Sequence, residues 1–402
     1  MKYSEFKDLR LSRLGFGTMR LPLLEGGAID QLQVNDMVRY ALDNGVNYFD
    51  TAYPYHNGLS EIALGKALSL LAEENPQKYS RSRYYVADKF PGHQAASEYN
   101  PRKVFESQLR KCATPYFDFY LFHNVCENCW DVYSSHAQEF ISYFMEQKEK
   151  GLIRHLGMST HADLPMLEKI LDSEYGKCIE FCQIQLNYLD WKLQKAEQKV
   201  RMLNERGIPV WVMEPLRGGL LAKEFTCNGR TVEPREMVEK AFSWLMEVPG
   251  VTMILSGMSS FAQMKDNVSI FSTGDGLSNE SRELLAARAE SLMSRVPCTA
   301  CRYCCDTCPV GLDIPLLIQA YNDMKTQFSF TPQMRIESLP KDKQPYECLN
   351  CHTCNRHCPQ KINVAEVIQD LCGMLKEHPT WSSICEQREK ASIELEAELN
   401  RR

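Results

Sequence analysis

The chain has 402 residues, 44% hydrophobic and 24% charged, with a formal net charge of −6. That length allows more than one domain, and the composition is that of an ordinary water-soluble globular protein. The mild negative charge gives no basis for nucleic-acid binding, and no run of about 18 apolar residues is present to cross a membrane. The start, Met1-Lys-Tyr-Ser-Glu-Phe-Lys-Asp8, lacks the apolar core of a secretory signal, and reduced thiols fit a cytoplasmic location.

Leu14-Gly-Phe-Gly17-Thr-Met19 has a Gly-x-Gly, but Arg20 replaces the third glycine of a dinucleotide fingerprint, and the segment reads as a tight hairpin. Residues 30–44 follow with helical spacing (Leu32, Met37, Val38, Ala41, Leu42) and a stop at Asn44-Gly45. Strand-like runs then recur at Val46–Phe49, Tyr84–Ala87, Phe117–Phe122, His155–Leu156, Phe181–Leu186, Pro209–Met213 and Val251–Leu255. Helical stretches separate them: Ser60–Glu73, Pro101–Cys112, Gln138–Lys150, Leu164–Leu171, Lys192–Glu205 and Pro234–Glu247. Such alternation predicts parallel β-structure, and seven or eight units suit an α/β fold of the (β/α)8 TIM-barrel type. A doubly wound sheet is the alternative, but its glycine fingerprint is missing.

Barrel chemistry belongs at the C-terminal strand ends. One end reads Asp50-Thr-Ala-Tyr-Pro-Tyr55, the next ends in Lys89 and the third in His123. Phe49-Asp50-Thr51-Ala52 with Tyr55 five residues after the aspartate resembles the aldo/keto reductases, and the similarity extends over roughly residues 10–270. The resemblance implies a catalytic tetrad of Asp50, Tyr55, Lys89 and His123. A tyrosine near pKa 10 is a poor proton donor at neutral pH unless an ammonium stabilises its anion; Lys89 does this, Asp50 keeps Lys89 charged, and His123 positions a carbonyl.

The resemblance also implies NADP or NAD as cofactor. Gly157-Met-Ser159-Thr160 with Gln183 looks like the carboxamide-holding segment, and Asn187 follows at the family's usual offset. Met213-Glu-Pro215-Leu216-Arg-Gly218-Gly219 resembles the segment flanking nicotinamide and pyrophosphate, with Met213 where most members carry an aromatic. Residues 255–267, including Ser259, Gln263 and Asn267, look like the adenosine-phosphate segment. It lacks a basic residue at Gly257 or Gln263, although Lys265 lies close, so the reading leans away from a strict preference for NADP. Three side features read blandly: Cys126 and Cys129 as plain thiols near the substrate, Cys178 and Cys182 as packing, and Arg217 as a solvated or phosphate-facing charge.

A polar run from residue 271 ends at Pro297, which puts the boundary near 290: a 1–290 barrel and a 291–402 dicluster module. Cys298, Cys301, Cys304 and Cys308 are spaced by two, two and three residues and followed by Pro309. Cys348, Cys351, Cys354 and Cys358, followed by Pro359, repeat the pattern. This spacing suits two 4Fe–4S clusters, and in two-cluster proteins the fourth cysteine serves the other cluster. Cys358 is therefore expected with Cys298, Cys301 and Cys304, and Cys308 with Cys348, Cys351 and Cys354; Cys305 is spare. Helical patterns at Leu316–Met324 and Ile362–Lys376 make the module an α-helical kind of ferredoxin-like domain, and Glu386–Arg402 reads as a solvated helix or loose tail. The combined expectation is an iron–sulfur oxidoreductase. Its barrel exchanges hydride with a small carbonyl or alcohol, and its clusters exchange electrons with a redox protein partner or serve as structural staples.

Overall fold

The computed structural model describes residues 1–92, 100–227, 229–274, 276–293, 296, 298, 300–399 and 401; Pro297, the expected end of the polar run, lies outside them. Twelve strands occur among the described residues: β1 (Tyr3–Phe6), β2 (Leu9–Ser12), β3 (Leu14–Gly17), β4 (Tyr48–Asp50), β5 (Tyr85–Phe90), β6 (Phe117–Phe122), β7 (Ile153–Thr160), β8 (Cys182–Gln185), β9 (Val210–Met213), β10 (Phe225–Cys227), β11 (Arg230–Val232) and β12 (Val251–Gly257). Eight of them close a barrel in the order β12-β3-β4-β5-β6-β7-β8-β9, and every neighbouring pair is parallel. Parallel neighbours need crossovers, and helices such as Gln31–Asp43, Leu59–Glu74, Pro101–Lys111 and Pro234–Glu247 supply them.

The hairpin expected around Leu14–Met19 is corrected. Leu14–Gly17 is the first barrel strand, in register with β12 (Phe16↔Ser256) and β4 (Gly17↔Asp50). A Cβ at Gly15 would stand 2.6 Å from Leu255 Cδ2, so the glycine permits close packing of the strand and is not a turn residue. The hairpin lies earlier, where β1 pairs antiparallel with β2. Phe6 from this hairpin packs edge-on to Trp211 at 5.1 Å between ring centres, and Trp211 meets Phe181 at 4.5 Å. With Tyr48 and Phe119 these rings form a buried cluster inside the strands, so the barrel is filled rather than open.

Two compact units emerge. One comprises Met1–Cys126, Trp130–Ala286 and Arg388–Arg402; the other comprises Glu127–Cys129 and Ala287–Gln387. The second is helical, with Ile314–Thr326, Phe330–Glu337 and Val364–Lys376 around a core that includes Leu317, Ile318, Ile368 and Leu371. The final helix, Trp381–Leu399, is longer than the expected tail, and its last turns group with the barrel. Among the described residues no helix is long and apolar enough to cross a membrane.

Candidate active site

Alternation along β5 sorts its side chains. Ala87 belongs to the barrel's inner cluster, and Lys89, two residues on, faces the same way, while Asp88 turns toward the surrounding helices. Asp50 ends β4, beside β5, with Asp50 opposite Ala87. Lys89 Nζ donates to Asp50 Oδ1 at 2.5 Å and to the Thr51 carbonyl at 2.6 Å, and both side chains are buried. The ammonium stands 5.0 Å from the Tyr55 ring centre and is hydrogen-bonded to that side chain. His123 follows β6 directly, and its ring meets Tyr55 edge-on at 5.9 Å. The four residues expected at the strand ends are thus one group.

Burial works against the Lys89 ammonium, but Asp50 and Tyr55 outweigh it and hold the lysine above its ordinary value. Burial also pushes the Asp50 carboxyl up, against the pull of Lys89. The charged lysine is the form consistent with a nitrogen that donates to both a carboxylate and a carbonyl oxygen. For Tyr55, burial raises the phenol more than Lys89 lowers it, so the side chain is protonated at neutral pH.

Tyr55 opens a short turn, Tyr55–Gly58, whose backbone is left-handed at His56 (φ 50°), Asn57 (φ 54°) and Gly58 (φ 85°). Two non-glycine residues in that region are strained and persist only where neighbours hold them. The His56 ring helps by accepting the Leu21 amide at 3.1 Å.

Above this group lies a partly open cavity of about 220 Å³. Asp50, Tyr55, Gln183, Met213, Pro215, Leu216, Gly218, Gly219, Ser259, Gln263 and Asn267 line it. Ser159 and Thr160 do not: Ser159 Oγ accepts the Asn124 amide, and Thr160 Oγ1 donates to the Val125 carbonyl. Gln183 Oε1 is a buried acceptor with no hydrogen-bond partner among the described residues. At the far end the helix Phe261–Thr273 begins, with Ser260 capping the Gln263 amide and the Gln263 side chain accepting from the Ser259 amide. Asn187 donates to Asp190 and to the Glu214 carbonyl, which ties β8 to the loop after β9.

Arg217 departs from expectation. Its side chain is buried, with Nε 3.7 Å from Asp190 Oδ1, so it is neither solvated nor on the cavity wall. The loop instead places Glu214 on the wall, where it pairs with Arg20 at 3.1 Å. The sequence reading missed this pair, although each residue closely follows a barrel strand, β3 or β9. Cys126 and Cys129 are both buried, and among the described residues no cysteine is in a disulfide.

In the second unit the cysteines stand around two cavities. Cys298, Cys301, Cys304 and Cys358 line one, and Cys308, Cys348, Cys351 and Cys354 line the other; Cys305 lines neither. The two runs share a backbone: positive φ recurs at Ala300 and Asn350, at Arg302 and His352, and at Gly311 and Lys361. Among the described residues no three His, Cys, Asp or Glu side chains close on one point tightly enough to hold a single metal ion.

The family model for the aldo/keto reductase family matches residues 13–286. The chain belongs to the aldo/keto reductase family. Aldo/keto reductases are NAD(P)H-dependent oxidoreductases, and this one is similar to the NADH-specific methylglyoxal reductase of Escherichia coli. The two are 23% identical over 330 residues, covering 71% of this chain and 97% of the relative. It is also 24% identical over 306 residues to L-galactose dehydrogenase of Arabidopsis thaliana, covering 70% and 91%. Aldo-keto reductase AKR11C1 from Bacillus halodurans shares the fold with a TM-score of 0.56 at 24% identity, covering 71% of this aldo/keto reductase and 96% of that chain. A Klebsiella pneumoniae aldo/keto reductase solved with NADP and acetate gives 0.52 at 18% identity, covering 70% and 92%.

Proposed function

We propose that this aldo/keto reductase interconverts a small carbonyl compound and its alcohol with NAD(P)(H), and that its second unit holds two 4Fe–4S clusters that exchange electrons with a redox partner. The observation that carries the barrel reading is the buried Lys89–Asp50 pair set beneath Tyr55 at the floor of the cavity. Gln183 Oε1 supports a nucleotide there, because the amide N–H of a nicotinamide carboxamide would satisfy that buried acceptor. The amide end of helix Phe261–Thr273 suits a phosphate. When bound, the reduced nicotinamide supplies the hydride.

The chain's own residues manage the proton. Reduction of a carbonyl carbon builds negative charge on its oxygen, and the protonated Tyr55 hydroxyl donates to that oxygen as the C–O π bond breaks. Lys89 stabilises the phenolate left behind, and Asp50 fixes the ammonium under it. His123, beside Tyr55, orients the carbonyl. In the reverse direction the phenolate accepts the alcohol proton.

A cubane's four thiolates bind four different irons, so they stand farther apart than ligands of one ion. Two cavities with four cysteines each fit that donor set. Hydride transfer moves two electrons together and each cluster passes one, so coupling requires a partner or a further cofactor that divides the pair. Purely structural clusters are the second reading, favoured by Cys304 and Cys354 lying within the apolar core of their unit.

Methylglyoxal with NADH and with NADPH tests the barrel: Tyr55→Phe should abolish turnover and keep nucleotide binding. Anaerobic reconstitution tests the clusters, with roughly eight irons per chain expected. Cys308→Ser and Cys348→Ser should each remove the same half. No turnover of carbonyls by the wild-type chain, or zinc in place of iron, would overturn the respective part. Bleaching of reconstituted clusters by NADH would favour redox coupling over a structural role.

A further inference from the structure

The last turns of the final helix, Arg388–Leu399, are rich in charge, yet one face of them is seated on the barrel unit. Ser392, Leu395 and Glu396 form that face at helical spacing, and Ile393 and Glu394 are exposed. Glu396 Oε1 pairs with Lys111 Nζ at 3.0 Å and accepts from Ser107, and Glu396 Oε2 accepts from Arg110 at 3.4 Å. Lys111 is fully buried at its side chain; its ammonium lies 4.2 Å from the Tyr53 ring centre and 3.5 Å from Glu61 Oε2. Ser392 hydrogen-bonds Tyr53. A Cβ at Gly58 would stand 3.0 Å from Leu395 Cδ2.

Tyr53 and Gly58 bracket Tyr55 and its strained turn. The same cluster reaches the other half of the site: the buried Glu61 carboxylate interacts with Asp88 and Gln108. Asp88 accepts the Lys89 amide at 2.8 Å, and Gln108 donates to the Lys89 carbonyl at 3.0 Å. Both backbone groups of the lysine that bears on Tyr55 are therefore held by residues that neighbour Glu61, which in turn faces Lys111.

We propose that the Arg388–Leu399 helix is a strap that holds the Tyr55 turn in its catalytic geometry, and that Glu396 is its positioning residue, acting through Lys111. The strap itself rests on the polar and packing contacts just described; its effect on rate rests on the reading of Tyr55 as proton donor. Left-handed residues at His56 and Asn57 relax unless something over-determines them, and Ser392, Leu395 and Glu396 do so through Tyr53, Gly58 and Lys111 on either side of the turn. A displacement of about 1 Å at a catalytic group costs as much as a hundredfold in rate.

The test uses the full-length protein with Glu396→Gln, Leu395→Ala and, as control, the exposed Glu394→Gln. Hydrogen–deuterium exchange reads the amides of residues 53–59, and steady-state kinetics with methylglyoxal read kcat and KM. Glu396→Gln should speed exchange in that segment and lower kcat on the order of ten- to a hundredfold, with nucleotide Kd unchanged. Glu396→Asp should recover part of the rate, and Glu394→Gln should match wild type. Leu395→Ala keeps every charge and gives the same readouts if Glu396→Gln fails to fold with Lys111 deprived of one of its two carboxylates. Unchanged exchange overturns the strap; faster exchange with unchanged kcat overturns the positioning role. If the wild type reduces no carbonyl, the catalytic reading fails, and exchange alone still decides the strap.

Discussion

Replacing Lys89 with methionine removes the charge under Tyr55 and keeps most of the volume. The ammonium lies 5.0 Å from the Tyr55 ring centre. At an effective dielectric constant of about 20, a unit charge at that range stabilises the phenolate by about 3 kcal/mol. If the transition state feels all of it, kcat falls on the order of a hundredfold. The hydrogen bond between the two side chains brings the phenolic oxygen nearer than the ring centre, so this is the lower figure. The loss should fall on kcat, since the lysine side chain is not on the cavity wall. With the lysine's downward pull on the phenol gone, the pH profile for alcohol oxidation should move to higher pH. Asp50 would be left buried without its partner, so Lys89→Met should also melt earlier, and Asp50→Asn/Lys89→Met should regain stability over it. Steady-state kinetics with methylglyoxal and thermal melts check both. A folded Lys89→Met enzyme with wild-type kcat and pH profile would refute the role given to the pair.

Arg20→Ala should weaken nucleotide binding no more than about fivefold, because the pair with Glu214 is partly exposed and such pairs contribute at most about 1 kcal/mol; fluorescence titration at low and high salt checks this, and the effect should shrink with salt. Gly65→Ala should destabilise by about 1–3 kcal/mol, although alanine favours helix, because its Cβ would lie 2.6 Å from the Lys111 carbonyl oxygen and 2.7 Å from the Cys112 carbonyl carbon. Denaturant unfolding measures it. For Glu396, burial raises the carboxyl, but Ser107, Lys111 and Arg110 together bring it below the ordinary value. Its folded pKa is thus the lower one, so its contribution is present above about pH 4 and lost as pH falls through the folded value. The melting difference between wild type and Glu396→Gln should be level near neutrality and shrink in acid.

The barrel was legible because most of its strands are apolar runs with helical stretches between them. Leu14–Gly17 was not, since a four-residue strand with two glycines carries little β-signal and owes its place to Leu255 and Tyr48, which are distant in sequence. Asp50, Lys89 and His123 could be read because strand ends are where barrel chemistry sits, and Tyr55 because of its spacing from Asp50. Arg217 and Lys111 were not readable: a charged residue in sequence defaults to solvent, and only the fold reveals Asp190 or Glu61 waiting in the interior. The same blindness hid the seated face of the last helix, where Ser392 and Glu396 occupy positions a pattern search expects to be apolar. The expected pairing of each fourth cysteine with the opposite run came from the repeated spacing together with the general habit of two-cluster proteins, and each cavity is lined by three cysteines of one run and the fourth of the other.

The barrel unit includes Arg388–Arg402, so in chain order the cysteine-bearing unit is an insertion rather than an appendage. A ribosome releases Leu14–Gly17 and the other seven barrel strands long before it makes the segment that packs against Tyr53. The barrel strands are complete early, and on the strap proposal the Tyr55 turn is held only after about a hundred further residues have been made. Closing a loop of that size carries an entropic penalty that grows only slowly with length, and a folded insert shortens the effective loop. Synthesis of the second unit therefore comes between the barrel strands and the last segment of the barrel unit, and cutting the chain near residue 290 would remove a piece of the barrel unit along with the cysteines of the second.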